Sequence, residues 1–222
     1  MFDNISGRYD FLDHFLSFSL DYRWRKKLVR ELDKYHPEKV LDVATGTADL
    51  AIAIARACDY TNVIGIDLSE QMLLVGGKKI RKFRLDKQIN LQPGDAEKLP
   101  FSDNEFDAVT VSFGVRNFEH LENGLLELKR VLKPGGPLLI LEFSIPENPV
   151  FMTIYNAYFK NLVPFLGSIF AKNRYAYRYL QGSVNEFPFG ENFAEILRYL
   201  NFKNVQFQTL SWGICTLYRG IK

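Results

Sequence analysis

The chain has 222 residues, 47% of them hydrophobic and 14% aromatic, with a formal net charge of +2. That is enough apolar material for one domain with a real core, and so small a charge gives no electrostatic case for nucleic-acid binding. The two cysteines, Cys58 and Cys215, lack metal-type spacing, so no metal site is expected; there is no signal-peptide pattern and no apolar run long enough to span a bilayer.

Residues 1–35 read as a helical segment separate from the sheet-forming region after it. Phe11, Leu12, Phe15, Leu16 and Phe18 form one apolar stripe, and Trp24, Leu28 and Leu32 a second, as expected for two amphipathic helices packed on the domain. Tyr9-Asp10 lies ahead of the first stripe. The basic run Arg23-Trp24-Arg25-Lys26-Lys27 is expected to be a solvated helix face, able to touch anionic lipid.

From Lys39 the chain alternates. Short apolar strands are expected at 40–43, 63–66, 89–92, 106–112 and 137–141, with helices at 50–57, 69–83 (Ser69 as N-cap) and 122–132. Repeated strand–helix units imply a parallel sheet covered on both faces. Residues 146–191 break the rhythm with dense Phe and Tyr, and are expected to form a helical insertion over the substrate site. A helix at 191–200 and two strands, 203–210 and 214–219, come next; this terminal hairpin places one antiparallel strand in the sheet.

Ligands on such sheets bind beyond the carboxyl ends of the strands, at the switch point. The first strand runs into Val43-Ala44-Thr45-Gly46-Thr47-Ala48-Asp49, a turn of small residues before a helix start, although it lacks the three glycines of the dinucleotide fingerprint. Asp67, Asp95, Ser112 and Glu142 fall at the ends of the later strands. Asp67, with Leu68 beside it, suits the two hydroxyls of a ribose, and Asp95-Ala96 an adenine edge. Asp42 and Asp49 flank the first turn, which favours a cationic or zwitterionic ligand and opposes the pyrophosphate of a nicotinamide dinucleotide. A nucleoside with an amino-acid tail fits best.

This combination resembles the class I S-adenosylmethionine-dependent methyltransferases. The run Arg130-Val131-Leu132-Lys133-Pro134-Gly135-Gly136-Pro137-Leu138-Leu139-Ile140-Leu141-Glu142-Phe143-Ser144 is similar to a signature of the menaquinone/ubiquinone biosynthesis C-methyltransferases. So are Ser112-Phe113-Gly114-Val115-Arg116-Asn117-Phe118, Gly94-Asp95-Ala96-Glu97-Lys98-Leu99-Pro100-Phe101, and Tyr179…Ser183…Phe187-Pro188. Asp21 stands where the family's opening motif has histidine, and Ala48 where many related enzymes have glycine. The turn accepts that alanine provided position 48 does not need positive φ.

The resemblance implies a Rossmann-like, mostly parallel seven-stranded sheet with an antiparallel C-terminal strand. It implies S-adenosyl-L-methionine held by Asp42, Gly46, Thr47, Asp67, Leu68, Asp95, Ala96 and Ser112. The implied reaction is C-methylation of a prenylated quinol, most simply demethylmenaquinol to menaquinol. A 2-methoxy-6-polyprenyl-1,4-benzoquinol, or O- or N-methylation of another small apolar acceptor, is the alternative. Arg116 is expected to stabilise phenolate charge and Asn117 to orient the hydroxyl, with Tyr9 and Asp10 completing the site from the N-terminal lid. A cytoplasmic enzyme is expected, peripheral on the inner face of the membrane, with a homodimer as a candidate assembly.

Overall fold

The computed structural model describes residues 20–157 and 182–222. Tyr9, Asp10 and the first apolar stripe therefore lie outside the described residues, as does most of the aromatic insertion. Helix α1 (Leu20–Asp33) leads into β1 (Lys39–Val43), α2 (Asp49–Ala57), β2 (Asn62–Asp67), α3 (Glu70–Phe83) and β3 (Ile89–Pro93). Next are β4 (Ala108–Ser112), a 3-10 turn (Val115–Asn117), α4 (Leu121–Val131) and β5 (Pro137–Phe143). Helix α5 (Pro149–Ala157) opens the insertion; after it come α6 (Glu191–Tyr199), β6 (Lys203–Leu210) and β7 (Cys215–Ile221).

The seven strands lie in the order β3-β2-β1-β4-β5-β7-β6. All pairings are parallel up to β5, and β7 alone runs against its neighbours β5 and β6. The chain leaves β1 toward β2 and β3 and then returns to β4 on β1's other side. The switch point is thus the β1–β4 seam, and both flanking turns emerge at its carboxyl edge. The strand expected at 106–112 begins later, at Ala108; Phe106 makes only an isolated bridge to Leu132.

Alternate strand residues feed two cores. Val40, Val63, Ala108, Leu139 and Leu217 pack with α1 and α2 on one face. Leu41, Ile66, Val109, Leu138 and Tyr218 pack with α4 and α6 on the other. The caps obey local chemistry: Ser69 Oγ accepts the Met72 N–H at 3.3 Å and starts α3.

Helix α1 corrects the reading of the basic run. Its buried positions are Asp21, Trp24, Arg25, Leu28, Val29 and Leu32, one stripe at helical spacing. Arg23 and Lys26 face solvent, but Arg25 belongs to the inner stripe. Trp24 fastens this helix to the sheet: its ring lies 6.0 Å from Phe113 and 6.2 Å from Phe143, and its N–H donates to Ser211 Oγ at 2.9 Å. No helix of the described residues is long and apolar enough to cross a membrane.

Trp24→Ala removes a large buried ring and orphans that hydroxyl, so it is expected to cost about 3–5 kcal/mol. Urea denaturation of the two proteins measures it.

Candidate active site

The turn after β1 takes positive φ at alternate residues: Ala44 (53°), Gly46 (56°) and Ala48 (66°). A Cβ built on Gly46 would meet nothing within 4 Å. Glycine holds that φ without the cost that Ala44 and Ala48 bear, and its open side faces the cleft. Position 48 does need positive φ, contrary to the condition that would make alanine harmless there. The left-handed residue is what swings the chain from the turn into α2, and holding alanine there costs of order 1 kcal/mol. Full burial of the Ala48 methyl, against Gly76 of α3, offsets part of that cost.

Asp42 lies beneath this turn, 1% exposed. Thr45 Oγ1 donates to one carboxylate oxygen at 2.6 Å, and Thr110 Oγ1, its register partner on β4, to the other at 2.8 Å. On the β2 side the register partner is Gly65, where a Cβ would come within 3.0 Å of Thr45. Burial pushes the Asp42 pKa up from an ordinary 3.8 to about 6; the two hydroxyls and nearby Arg25 oppose the rise, and Asp67 adds to it.

Asp67, at the end of β2, accepts the Gly46 N–H and the Ser69 N–H, each at 2.8 Å. One carboxylate thus ties the first turn to the start of α3. Leu68 beside it is 75% exposed, an apolar surface on the cleft rim. Asp95 accepts the Glu97 N–H at 2.9 Å and holds the turn after β3, with Ala96 next to it. Ser112 ends β4, and its buried Oγ is among the few described side-chain atoms with no hydrogen-bond partner in the protein.

These residues come together. A cleft of about 280 Å³ at the carboxyl edge is lined by Asp42, Gly46, Thr47, Asp67, Leu68, Asp95, Ala96, Ser112 and Asn117. Six lining residues are acidic (Asp42, Asp49, Asp67, Asp95, Glu97 and Glu119), and among the described lining residues Arg25 alone is basic. Such a wall suits a positively charged ligand and repels a pyrophosphate. An orphaned buried hydroxyl and a bare glycine backbone add the donors and the close approach that a nucleoside ligand uses. The residues present fit S-adenosylmethionine. Across the whole of residues 1–222 the chain also matches the model of the ubiE/COQ5 methyltransferase family.

The chain belongs to the ubiE/COQ5 methyltransferase family. Its relatives include a demethylmenaquinone methyltransferase of Bacteroides fragilis, 43% identical over all of this chain and 91% of that protein. A ubiquinone/menaquinone biosynthesis C-methyltransferase of Geotalea daltonii is also 43% identical, over all of this chain and 94% of its own length. Among solved structures, a SAM-dependent methyltransferase of Aquifex aeolicus shares the fold, with a TM-score of 0.62 at 20% identity over 87% of this chain and 88% of that one. The protein is an S-adenosylmethionine-dependent methyltransferase of quinone biosynthesis.

On the other side of Phe118 the methyltransferase has a second hollow, lined by Val115, Arg116, Leu121, Glu186 and Phe187. Arg116 therefore stands beside the first cleft rather than in its wall. Its guanidinium bonds Glu142 Oε1 at 2.7 Å and the Phe113 carbonyl at 2.5 Å, with both side chains of the ion pair almost wholly buried. Glu142, grouped by sequence with the strand-end acids, faces Arg116 and does not line the cleft. His120 is an exposed partner of Glu97, at 2.9 Å.

Sequence reasoning missed Arg25, Thr45 and Thr110 as site residues. The helical spacing of Arg25 with Trp24 and Leu28 could have placed it inward.

The raised pKa of Asp42 fixes a pH dependence. Below about pH 3 the carboxyl is neutral in both folded and unfolded states; above that the unfolded chain ionises first, so stability falls as pH rises and levels off past pH 6. The loss is about 3 kcal/mol. Asp42→Asn lacks it, so the stability of the variant relative to the parent should rise by that amount between pH 3 and pH 7 in urea denaturation of the ligand-free protein.

Proposed function

We propose that this methyltransferase adds a methyl group to a ring carbon of a prenylated hydroquinone, converting demethylmenaquinol to menaquinol. The activities for which the Bacteroides fragilis and Geotalea daltonii relatives are named support that acceptor. The observation that carries the reading is the pair of hollows that share Phe118 in their walls: one lined by six acidic residues and Arg25, the other by Val115, Leu121 and Phe187 together with Arg116 and Glu186. A nucleoside donor and a ring acceptor need two such adjoining rooms.

When bound, S-adenosylmethionine supplies a methyl group on a sulfonium, an electrophile that needs no further activation. In this reading Asp67 and Leu68 hold the ribose, Asp95 and the Ala96 N–H the adenine, and Ser112 the cleft floor. Gly46, Thr47 and Asp42 hold the amino-acid end. A cation beside Asp42 favours its ionised form, so uptake near pH 6 releases a proton from it.

What remains for the protein is to orient the acceptor and raise the nucleophilicity of its ring carbon. Ionising the adjacent phenol achieves the second, and an unperturbed phenol has a pKa of ~10. Asn117, on the 3-10 turn between the two hollows, lines the first cleft, and we assign it to the hydroxyl of an acceptor whose ring reaches past Phe118 toward the methyl group. The Arg116 charge is balanced by Glu142, so the pair presents little net charge to a phenolate. Arg116 is better assigned as a positioning residue that locks the turn carrying Asn117. Tyr9 and Asp10, outside the described residues, are further candidates for the acceptor site by the family resemblance alone. The aromatic composition of residues 146–191 suits an apolar tail, in an enzyme that meets the membrane peripherally.

The test is a methyl-transfer assay with reduced demethylmenaquinone and its benzoquinol counterpart side by side, read by product mass. Methylation of the naphthoquinol ring carbon is expected; no product from either, in protein that binds S-adenosylhomocysteine, overturns the acceptor. Asp67→Ala should weaken S-adenosylhomocysteine binding about 10–100-fold in calorimetry, the range for lost hydrogen bonds to a charged group. Asn117→Ala should lower kcat by a larger factor than it weakens that binding.

A further inference from the structure

The cleft wall poses an electrostatic problem. A ligand with an amino-acid tail carries an ammonium group, which the acidic lining welcomes, and a carboxylate, which six acidic residues repel. A cation must stand where that carboxylate comes to rest. Among the described lining residues only Arg25 is basic, and it is 7% exposed.

Arg25 is also aimed. It reaches inward from α1, ion-paired with Asp21, which is itself fully buried. Its NH1 lies 3.9 Å from Asp49 at the start of α2, and its guanidinium carbon 5.7 Å from the centre of the Phe113 ring. Asp49 also pairs with Lys79, whose ammonium donates to Thr47 Oγ1 at 3.0 Å. The Asp21–Arg25–Asp49–Lys79 chain thus runs along the Thr47 end of the cleft. A buried ion pair usually stabilises a fold less than apolar residues of similar volume would, and the neighbours of Arg25 on the same helix face are Leu28, Val29 and Leu32. Arg25 differs from the equally paired Arg116 in lining the cleft, so a ligand oxygen can bond its guanidinium directly although its charge is shared with Asp21.

We propose that Arg25 binds the carboxylate of the cofactor's amino-acid tail, with Asp21 as the clamp that aims it. This rests on the reading of the cleft as an S-adenosylmethionine site. Asp21, at the position where the family's opening motif has histidine, thereby gains a positioning role.

The test is calorimetric titration with two probes, S-adenosylhomocysteine and 5′-methylthioadenosine, which keeps the nucleoside and the sulfur but lacks the amino-acid tail. Because Arg25→Met alone would leave Asp21 buried without its ion pair, the main variant is the double substitution Asp21→Asn with Arg25→Met. It should weaken S-adenosylhomocysteine about tenfold or more, the size of a lost charged hydrogen bond, and change methylthioadenosine by less than about twofold. Arg25→Lys, which retains the charge, should fall between parent and double variant for the first probe and match the parent for the second. Equal weakening of both probes means a structural role only and overturns the inference, as does unchanged S-adenosylhomocysteine affinity. A parent protein that binds neither probe overturns the cofactor reading itself, and the inference with it.

Discussion

Asp42 is a carboxylate buried where β1, β2 and β4 come together, and its solvation sets the conditions for everything near it. Water is excluded, so its oxygens must be satisfied by the protein, and both donors are threonine hydroxyls from fixed places: Thr110 across the β1–β4 register and Thr45 folded back from the turn. Thr45 can lie there only because β2 presents Gly65 at that level. The same demand bends the turn into its left-handed steps, and those steps deliver the open side of Gly46 to the cleft. A buried polar group that is fully satisfied rigidifies its surroundings. Here that rigidity defines the binding wall.

The second hollow is built against this wall through a second close approach. A Cβ on Gly114 would come within 2.5 Å of the Ala44 Cβ, so the turns after β1 and β4 touch, and neither can move alone. Phe113 is held at φ 59° beside that contact, its ring stacked 4.5 Å from Phe143. Arg116 then bridges the Phe113 carbonyl to Glu142 on β5. The two hollows are consequently parts of one rigid seam. The charge pair at its centre fixes shape and contributes little field, since opposite charges 2.7 Å apart largely cancel at a distance.

The strands and the cleft edge were legible because short strand-like runs that give way to Asp67, Asp95 and Ser112 carry their position in their spacing. Nearly every proposed cofactor residue could be named from that pattern and the family resemblance, and the structure gathers those residues at one edge. Three things were hidden. Glu142 obeys the strand-end rule in sequence yet meets Arg116, because the pleat puts it on the face of β5 that carries Leu138 and Ile140. Arg25 sits in a run of cations where composition favours solvent, and only the 3.6-residue period separates it from Arg23 and Lys26. The positive φ of Ala48 is invisible in an alanine, a residue that ordinarily avoids that conformation.

The wall of the second hollow has a distant anchor. Phe187 packs on Phe193, Phe193 meets Tyr218 edge-on, and the Tyr218 hydroxyl accepts the Gly190 N–H at 2.7 Å. Tyr218 belongs to β7, the strand inserted between β5 and β6, and β7 comes later in the chain than every other strand and helix that it holds together. During synthesis β6 has no partner until β7 emerges, and β5 is an open edge until then. The hollow beside Phe187 is therefore finished only with the last strand, and so is the seat of α1, whose Trp24 bonds Ser211 in the turn ahead of β7.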